Sequence, residues 1–265
     1  MTKQYHIGVS EGEVAPYVLL PGDPARVEIV ASYWDEATLV ASNREYITYT
    51  GLYKGIPISC TSTGIGAPST SIAMEELARC GVKTFLRIGT CGTFQDYINN
   101  GEIGIFDSAM KYDGASKLYA PVEYPAVANY EVTSAIVSAC KKLDFKYHVG
   151  TTRTADTFYA EHPRPGSSFN HFWQSNWQQH FNDLKQLNVI GAEMEASIIY
   201  TLARAWGLRA GGLAVVLDNL LEVAGETGEF DPEKALDHSD DNISKIARIG
   251  SEAIYQMAQI DLQNK

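Results

Sequence analysis

Thr84-Phe85-Leu86-Arg87-Ile88-Gly89-Thr90-Cys91-Gly92 is the stretch on which the fold turns. Its first five residues form an otherwise apolar run without polar alternation, as expected of a central strand buried on both faces. The glycine-rich junction after it sits at the strand's carboxyl end, where the ligand crevice of an open α/β sheet lies. Arg87 interrupts the run, and a buried guanidinium is costly unless a carboxylate, backbone carbonyls or a bound anion meets it. At this point a structural ion pair and an anion site explain Arg87 equally well.

Outward from this strand, similar short apolar runs occur at Tyr17–Leu20, Ile56–Cys60, Ile103–Phe106, His148–Thr152 and Gly212–Leu217. Helical periodicity fills the intervals. Ala25–Trp34 puts Val27, Val30, Ala31 and Trp34 on one face, and Ser69–Cys80 does so with Ile72, Ala73, Leu77 and Cys80. Glu131–Lys142, Glu193–Trp206 and Asn242–Gln259 complete the helices, while Tyr159–Asn182 and Leu221–Pro232 read as loops or lids. The alternation predicts one α/β domain over residues 1–265, with a mixed, largely parallel central sheet flanked by helices.

With 45% hydrophobic and 20% charged residues, the 265-residue chain has ample apolar surface for a core and is not a disordered type. Lys and Arg total 21 against 32 Asp and Glu, a formal charge of −11 that disfavours nucleic acid and anionic membranes as partners. Met1–Ser10 has neither a basic segment nor an apolar stretch, so a soluble cytoplasmic protein is expected. The four cysteines form no C-x-x-C pair and the six histidines no H-x-x-x-H group, so neither disulfides nor zinc chemistry is indicated.

The junctions at the strand ends converge on one expected pocket. After Tyr17–Leu20, Asp23 is a good N-cap and Pro24 a good first helical residue; Gly22 and Arg26 around them suit an anion, although an ordinary capped helix explains them too. Thr63-Gly64-Ile65-Gly66 lacks the third glycine of a dinucleotide fingerprint and reads as a tight turn. Arg44 beside Glu45 is by itself uninformative. In Glu193-Met194-Glu195, taken as a helix start, one carboxylate should face the core side and accept hydrogen bonds from a vicinal diol. Asp218, at the end of Leu213–Leu217, is placed either as a turn former or as a proton donor at the sheet's active edge.

These residues occur within PGDPARV (Pro21–Val27), SNREY (Ser42–Tyr46), STGIGAPSTSIAMEEL (Ser62–Leu77), FLRIGTCG (Phe85–Gly92), DGASKLYAPVEYPAVANYE (Asp113–Glu131), DTFY (Asp156–Tyr159) and AEMEAS (Ala192–Ser197). As an ordered set they resemble the nucleoside phosphorylases of the hexameric class, the uridine phosphorylases most closely. The resemblance implies a phosphorylase/hydrolase-like fold and a pentosyltransferase in nucleoside salvage, which uses inorganic phosphate and no organic cofactor. It implies that Gly22, Arg26, Arg87 and Thr90 bind phosphate with Arg44 of a neighbouring subunit. It implies Met194 and Glu195 as ribose contacts with a neighbour's His6, and Cys91, Gly92 and Phe158 in the base site.

The same resemblance places Glu161, His162 and Arg164 at the base edge, where uridine phosphorylases carry a Gln and an Arg. It also places Leu220 where those enzymes carry a further arginine. Asp218 matches purine-cleaving relatives instead and, with Arg87, is the catalytic candidate. Glu45, the Ile65 carbonyl and Ser69 match the positions that hold a potassium ion between subunits. The implied assembly is a trimer of dimers. A water-using nucleosidase and a non-catalytic nucleoside-binding module share the fold; three phosphate-placed arginines argue against the first, and the intact Arg26, Arg44, Arg87 and Glu195 against the second.

Overall fold

A computed structural model describes residues 3–160, 166–222, 236 and 239–263. Ten strands form one sheet: β1 (Tyr17–Leu20), β2 (Glu36–Asn43), β3 (Tyr46–Tyr53), β4 (Ile56–Thr61), β5 (Thr84–Thr93), β6 (Ile103–Tyr112), β7 (Ala126–Val127), β8 (Tyr147–Ala155), β9 (Gly191–Glu193) and β10 (Arg209–Asn219). The described helices are α1 (Ala25–Ala31), α2 (Ala67–Arg79), α3 (Ala115–Tyr119), α4 (Tyr130–Lys142), α5 (Ser175–Gln186), α6 (Ala196–Ala205) and α7 (Asp240–Gln263).

The strand order β10-β6-β8-β9-β5-β1-β4-β3-β2 departs from the open sheet expected, because β5 also pairs with β10 and closes five strands into a ring. Strands β4, β1, β5 and β10 run parallel, as do β6, β8 and β9; antiparallel pairs close the ring and build the β2-β3-β4 meander. β5 is long enough to serve both parts. Its Thr84–Arg87 segment pairs with β1, and Gly92 further along pairs with β9.

The central runs lack alternation because both faces are buried. On β5, Phe85 joins the apolar layer under α2 and α6, whereas Leu86 and Ile88 join the layer under α1, α4 and α7. On β10, Leu213, Val215 and Leu217 go to the second layer and Ala214 and Val216 to the first. The period-two pleat therefore sends adjacent residues to opposite helix layers.

Two expected boundaries change. Glu193 belongs to β9 rather than to a helix, and α6 starts at Ala196. The Glu193 carboxylate Oε2 accepts the N–H groups of Glu195 and Ala196 at 2.8 Å each, satisfying donors that a helix start leaves open. Within the expected loop Tyr159–Asn182, α5 forms and buries Trp177, Phe181 and Leu184. Most of the other loop candidate, Leu221–Pro232, lies outside the described residues.

Candidate active site

A cavity of about 700 Å³ opens at the carboxyl ends of β1, β5 and β10. Its lining includes Gly22, Arg26, Glu45, Ile65, Ser69, Arg87, Thr90, Cys91, Gly92, Phe158, Met194, Glu195 and Asp218, so residues spread over most of the sequence meet in one place. Arg44 and His6 do not line the cavity of their own chain. His6 is bound to Glu76 through Nδ1 and Oε1 at 2.7 Å, and Asn43 donates to the His6 carbonyl at 2.7 Å, which holds the amino-terminal segment beside the β2–β3 turn carrying Arg44. Glu161, His162 and Arg164 lie outside the described residues.

At one end of the cavity, the N-cap of α1 is Pro24 rather than the expected Asp23; Asp23 Oδ1 still accepts the Ala25 N–H at 2.9 Å, and Arg26 is the second residue of the helix. Burial lowers the Arg26 pKa, and the nearby Asp23 and Glu195 carboxylates oppose that shift while Arg87 reinforces it.

Arg87 projects from β5 on the Phe85 side and exposes 4% of its surface. Its Nε donates to Glu193 Oε2 at 2.7 Å and its Nη2 to Glu195 Oε2 at 2.5 Å. The ion-pair reading of Arg87 thus holds inside the very pocket that the anion reading required. A Cβ on Gly89 would stand 3.0 Å from the Arg87 Cζ, so glycine is what lets the guanidinium lie back along its own strand. Removing one member of such a buried pair costs about 3–5 kcal/mol because the other charge is left uncompensated.

Glu195 is fixed from both sides. Its Oε1 accepts the Gly66 N–H at 2.6 Å, and Gly66, at φ 89°, precedes the first turn of α2. A glycine tolerates this left-handed backbone, and Pro68 fits the first turn because it needs no N–H there. Burial raises the Glu195 pKa against the opposing pull of Arg87. The carboxylate retains lone-pair capacity for a diol beyond these two contacts.

At the opposite end, the β10 register slips between Val216 and Asp218, so Leu217 and Asp218 both reach the cavity. This bulge re-aims the side chains at the strand's end. Burial pushes the Asp218 carboxyl up from 3.8 to about 6. A Cβ on Gly92 would lie 2.9 Å from Asp218 Oδ1 and 2.8 Å from Leu220 Cγ, so the absence of a side chain is what lets Asp218 and Leu220 fold over this position. Burial also raises the Cys91 thiol pKa, which keeps it neutral.

Sequence reasoning missed Arg153 and Phe181 in the wall. Reading β8 only as far as Thr152 left Arg153 outside the strand. The spacing of Trp177, Phe181 and Leu184 was the available sign of α5.

The chain that gathers these cations and carboxylates at its strand ends belongs to the phosphorylase superfamily, which matches residues 16–254. It is 46% identical over 258 residues to a uridine phosphorylase of Thermococcus kodakarensis, covering 97% of this chain and 88% of that protein. It is 39% identical over 255 residues to a guanosine phosphorylase of Halorubrum lacusprofundi, covering 96% and 99%. Against the uridine phosphorylase of Escherichia coli the identity is 40% over 221 residues, covering 81% and 85%.

Proposed function

We propose that this protein is a pentosyltransferase that cleaves ribonucleosides, uridine in the first place, with inorganic phosphate to give the free base and ribose 1-phosphate. The observation that carries the reading is the joining of Arg26, Arg87 and Glu195 with Asp218 and Gly92 in one cavity. Gly22, Arg26, Arg87 and Thr90 bind phosphate; Met194 and Glu195 hold the ribose; Cys91, Gly92 and Phe158 flank the base. Cleavage builds positive charge on the ribose and negative charge on the base. Bound phosphate stabilises the first and a donor to the base the second.

Arg44 and His6 serve the site of a neighbouring copy, within a trimer of dimers. Their position on one surface beside Asn43, outside their own cavity, supports this role. The donor set at the rim also fits a potassium ion. Ser69 Oγ donates to the Ile65 carbonyl oxygen at 3.2 Å, and a Cβ on Gly64 would meet Glu45 Cγ at 2.8 Å and Ser69 Oγ at 2.9 Å, so all three residues stand around one glycine. Oxygen donors of this kind suit a hard cation, which would tie the rim to the neighbouring copy. Among the described residues no helix is long and apolar enough to cross a membrane.

Asp218 favours a second reading, a purine nucleoside, because a buried carboxyl with a pKa of about 6 is suited to donate a proton toward N7. The guanosine phosphorylase of Halorubrum lacusprofundi supports it. Purified protein incubated with uridine, thymidine, inosine and adenosine, with and without phosphate, separates these readings. Phosphate-dependent release of uracil is expected; base release that ignores phosphate would overturn the phosphorylase reading, and release from purines alone would replace uridine.

A further inference from the structure

The cavity wall holds a guanidinium to which neither phosphate nor ribose assigns a role. Arg153, on β8, exposes 4% of its surface and lines the cavity. Its Cζ stands 5.1 Å from the centre of the Tyr112 ring and 5.6 Å from that of Phe181. Two aromatic neighbours of this kind attract the cation and narrow its choice of rotamer.

Strand register shows where it acts. Asp218 pairs with Gly92, Gly92 with Ala192, and Ala192 with Arg153, and all four line the cavity. They form one row across β10, β5, β9 and β8. The middle positions are glycine and alanine, and the side chain that reaches over Gly92 is Leu220, so the floor between the carboxyl and the guanidinium is apolar. Three strand steps of about 4.8 Å put at most ~14 Å between the outer Cα atoms, a span over which a flat base lies within reach of both side chains.

We propose that Arg153 is a specificity-determining residue that donates to an exocyclic carbonyl oxygen of the base, on the edge remote from the sugar. The preferred substrates are then oxo bases, uracil, hypoxanthine or guanine, over cytosine and adenine. A guanidinium carries donors only and does not lose its proton at working pH. An amino group at that edge turns N–H toward N–H and forfeits the charge-assisted bond that a carbonyl oxygen would accept. The same cation opposes the negative charge that the base gains as the glycosidic bond breaks. The inference rests on the phosphorolysis reading and narrows its substrate class.

The test is kcat/KM for uridine, inosine, cytidine and adenosine with saturating phosphate, in the wild type, Arg153→Met and Arg153→Lys, together with the phosphate KM and the thermal midpoint. The expected result is a wild type that prefers oxo bases and a Met variant that loses on the order of 10- to 100-fold on them, with amino-base rates and phosphate KM unchanged. Lys, a charged donor without the planar fork, falls between. An unchanged oxo-to-amino ratio in Arg153→Met overturns the role of Arg153 while the phosphorylase reading stands. If the Met variant does not fold, the ratio in Arg153→Lys decides in the same way. A wild type that cleaves no nucleoside in phosphate overturns the phosphorylase reading itself, and Arg153 with it.

Discussion

Replacing Asp218 with Asn should make the protein more stable and a poorer purine phosphorylase. Burial raises the Asp218 carboxyl from 3.8 to about 6. At 1.36 kcal/mol for each pH unit, ionising it in the fold costs about 3 kcal/mol relative to the unfolded chain. Between pH 3.8 and about 6 the folded state holds the proton that the unfolded state has released, so stability falls as pH rises through that window and levels off above it. Asn has the shape of the protonated acid and never ionises. The two proteins should therefore be about equally stable near pH 4 and differ by up to ~3 kcal/mol in favour of Asp218→Asn above about pH 6. Urea unfolding at a fixed protomer concentration, across this pH range, measures the difference. A variant equal to or weaker than wild type at pH 8 would refute the reasoning, as would a gain independent of pH. In activity, purine cleavage should fall sharply in the variant and uridine cleavage hardly change; equal losses would make Asp218 structural. Wild-type purine cleavage should also rise as pH falls from 8 toward 6, because the protonated fraction of Asp218 grows about tenfold per pH unit there.

Arg87→Met leaves Glu193 and Glu195 without their buried counter-charge, so thermal or urea unfolding should show a loss of about 3–5 kcal/mol, with a raised phosphate KM in whatever remains folded. Gly92→Ala places a methyl 2.8 Å from Leu220 Cγ and 2.9 Å from Asp218 Oδ1; urea unfolding should show an overpacking cost of about 1–3 kcal/mol, and steady-state kinetics a raised nucleoside KM while phosphate KM holds. Arg44→Ala and Glu195→Gln should each be inactive alone but regain activity when co-expressed, since a mixed oligomer contains sites with both groups intact. Potassium should raise activity over an equal concentration of sodium, and Glu45→Gln should abolish the difference.

The site was legible where one residue broke the pattern around it. Arg87 stands out because its neighbours are apolar, and the strand-end position of Asp218 follows from an equally clear run. Arg153 gave no such contrast, since Thr151, Thr152 and Thr154 surround it and polar residues in series resemble a loop. The strands β2 and β3 escaped notice because they form a half-exposed meander without the continuous apolar runs of the centre. Ring closure was hidden for another reason. It depends on β9, three residues long, and on β5 changing partner from β1 to β9 along its length, which no local pattern announces. Glu193 was taken for a helical residue because acids favour first turns; the same attraction to free N–H groups operates, but from a side chain that lies just before the helix.

Charge within the site bears on the proposed need for a second copy in phosphate binding. The whole protein carries −11, and the cavity does not escape that excess by much: Arg26 and Arg87 face Glu193 and Glu195, so the formal charges of the cluster cancel. The Gly66 N–H at the start of α2 is already taken by Glu195. A phosphate dianion entering this neutral cluster would raise its negative charge unless a further cation arrived with it. Arg44 of a neighbouring copy is the proposed source, and Glu45 beside it, holding potassium, would bring a second. On this proposal phosphate affinity depends on assembly: a separated subunit should bind phosphate weakly even with Arg26, Arg87 and Glu195 in place, and the loss of Arg44 should raise phosphate KM far more than nucleoside KM.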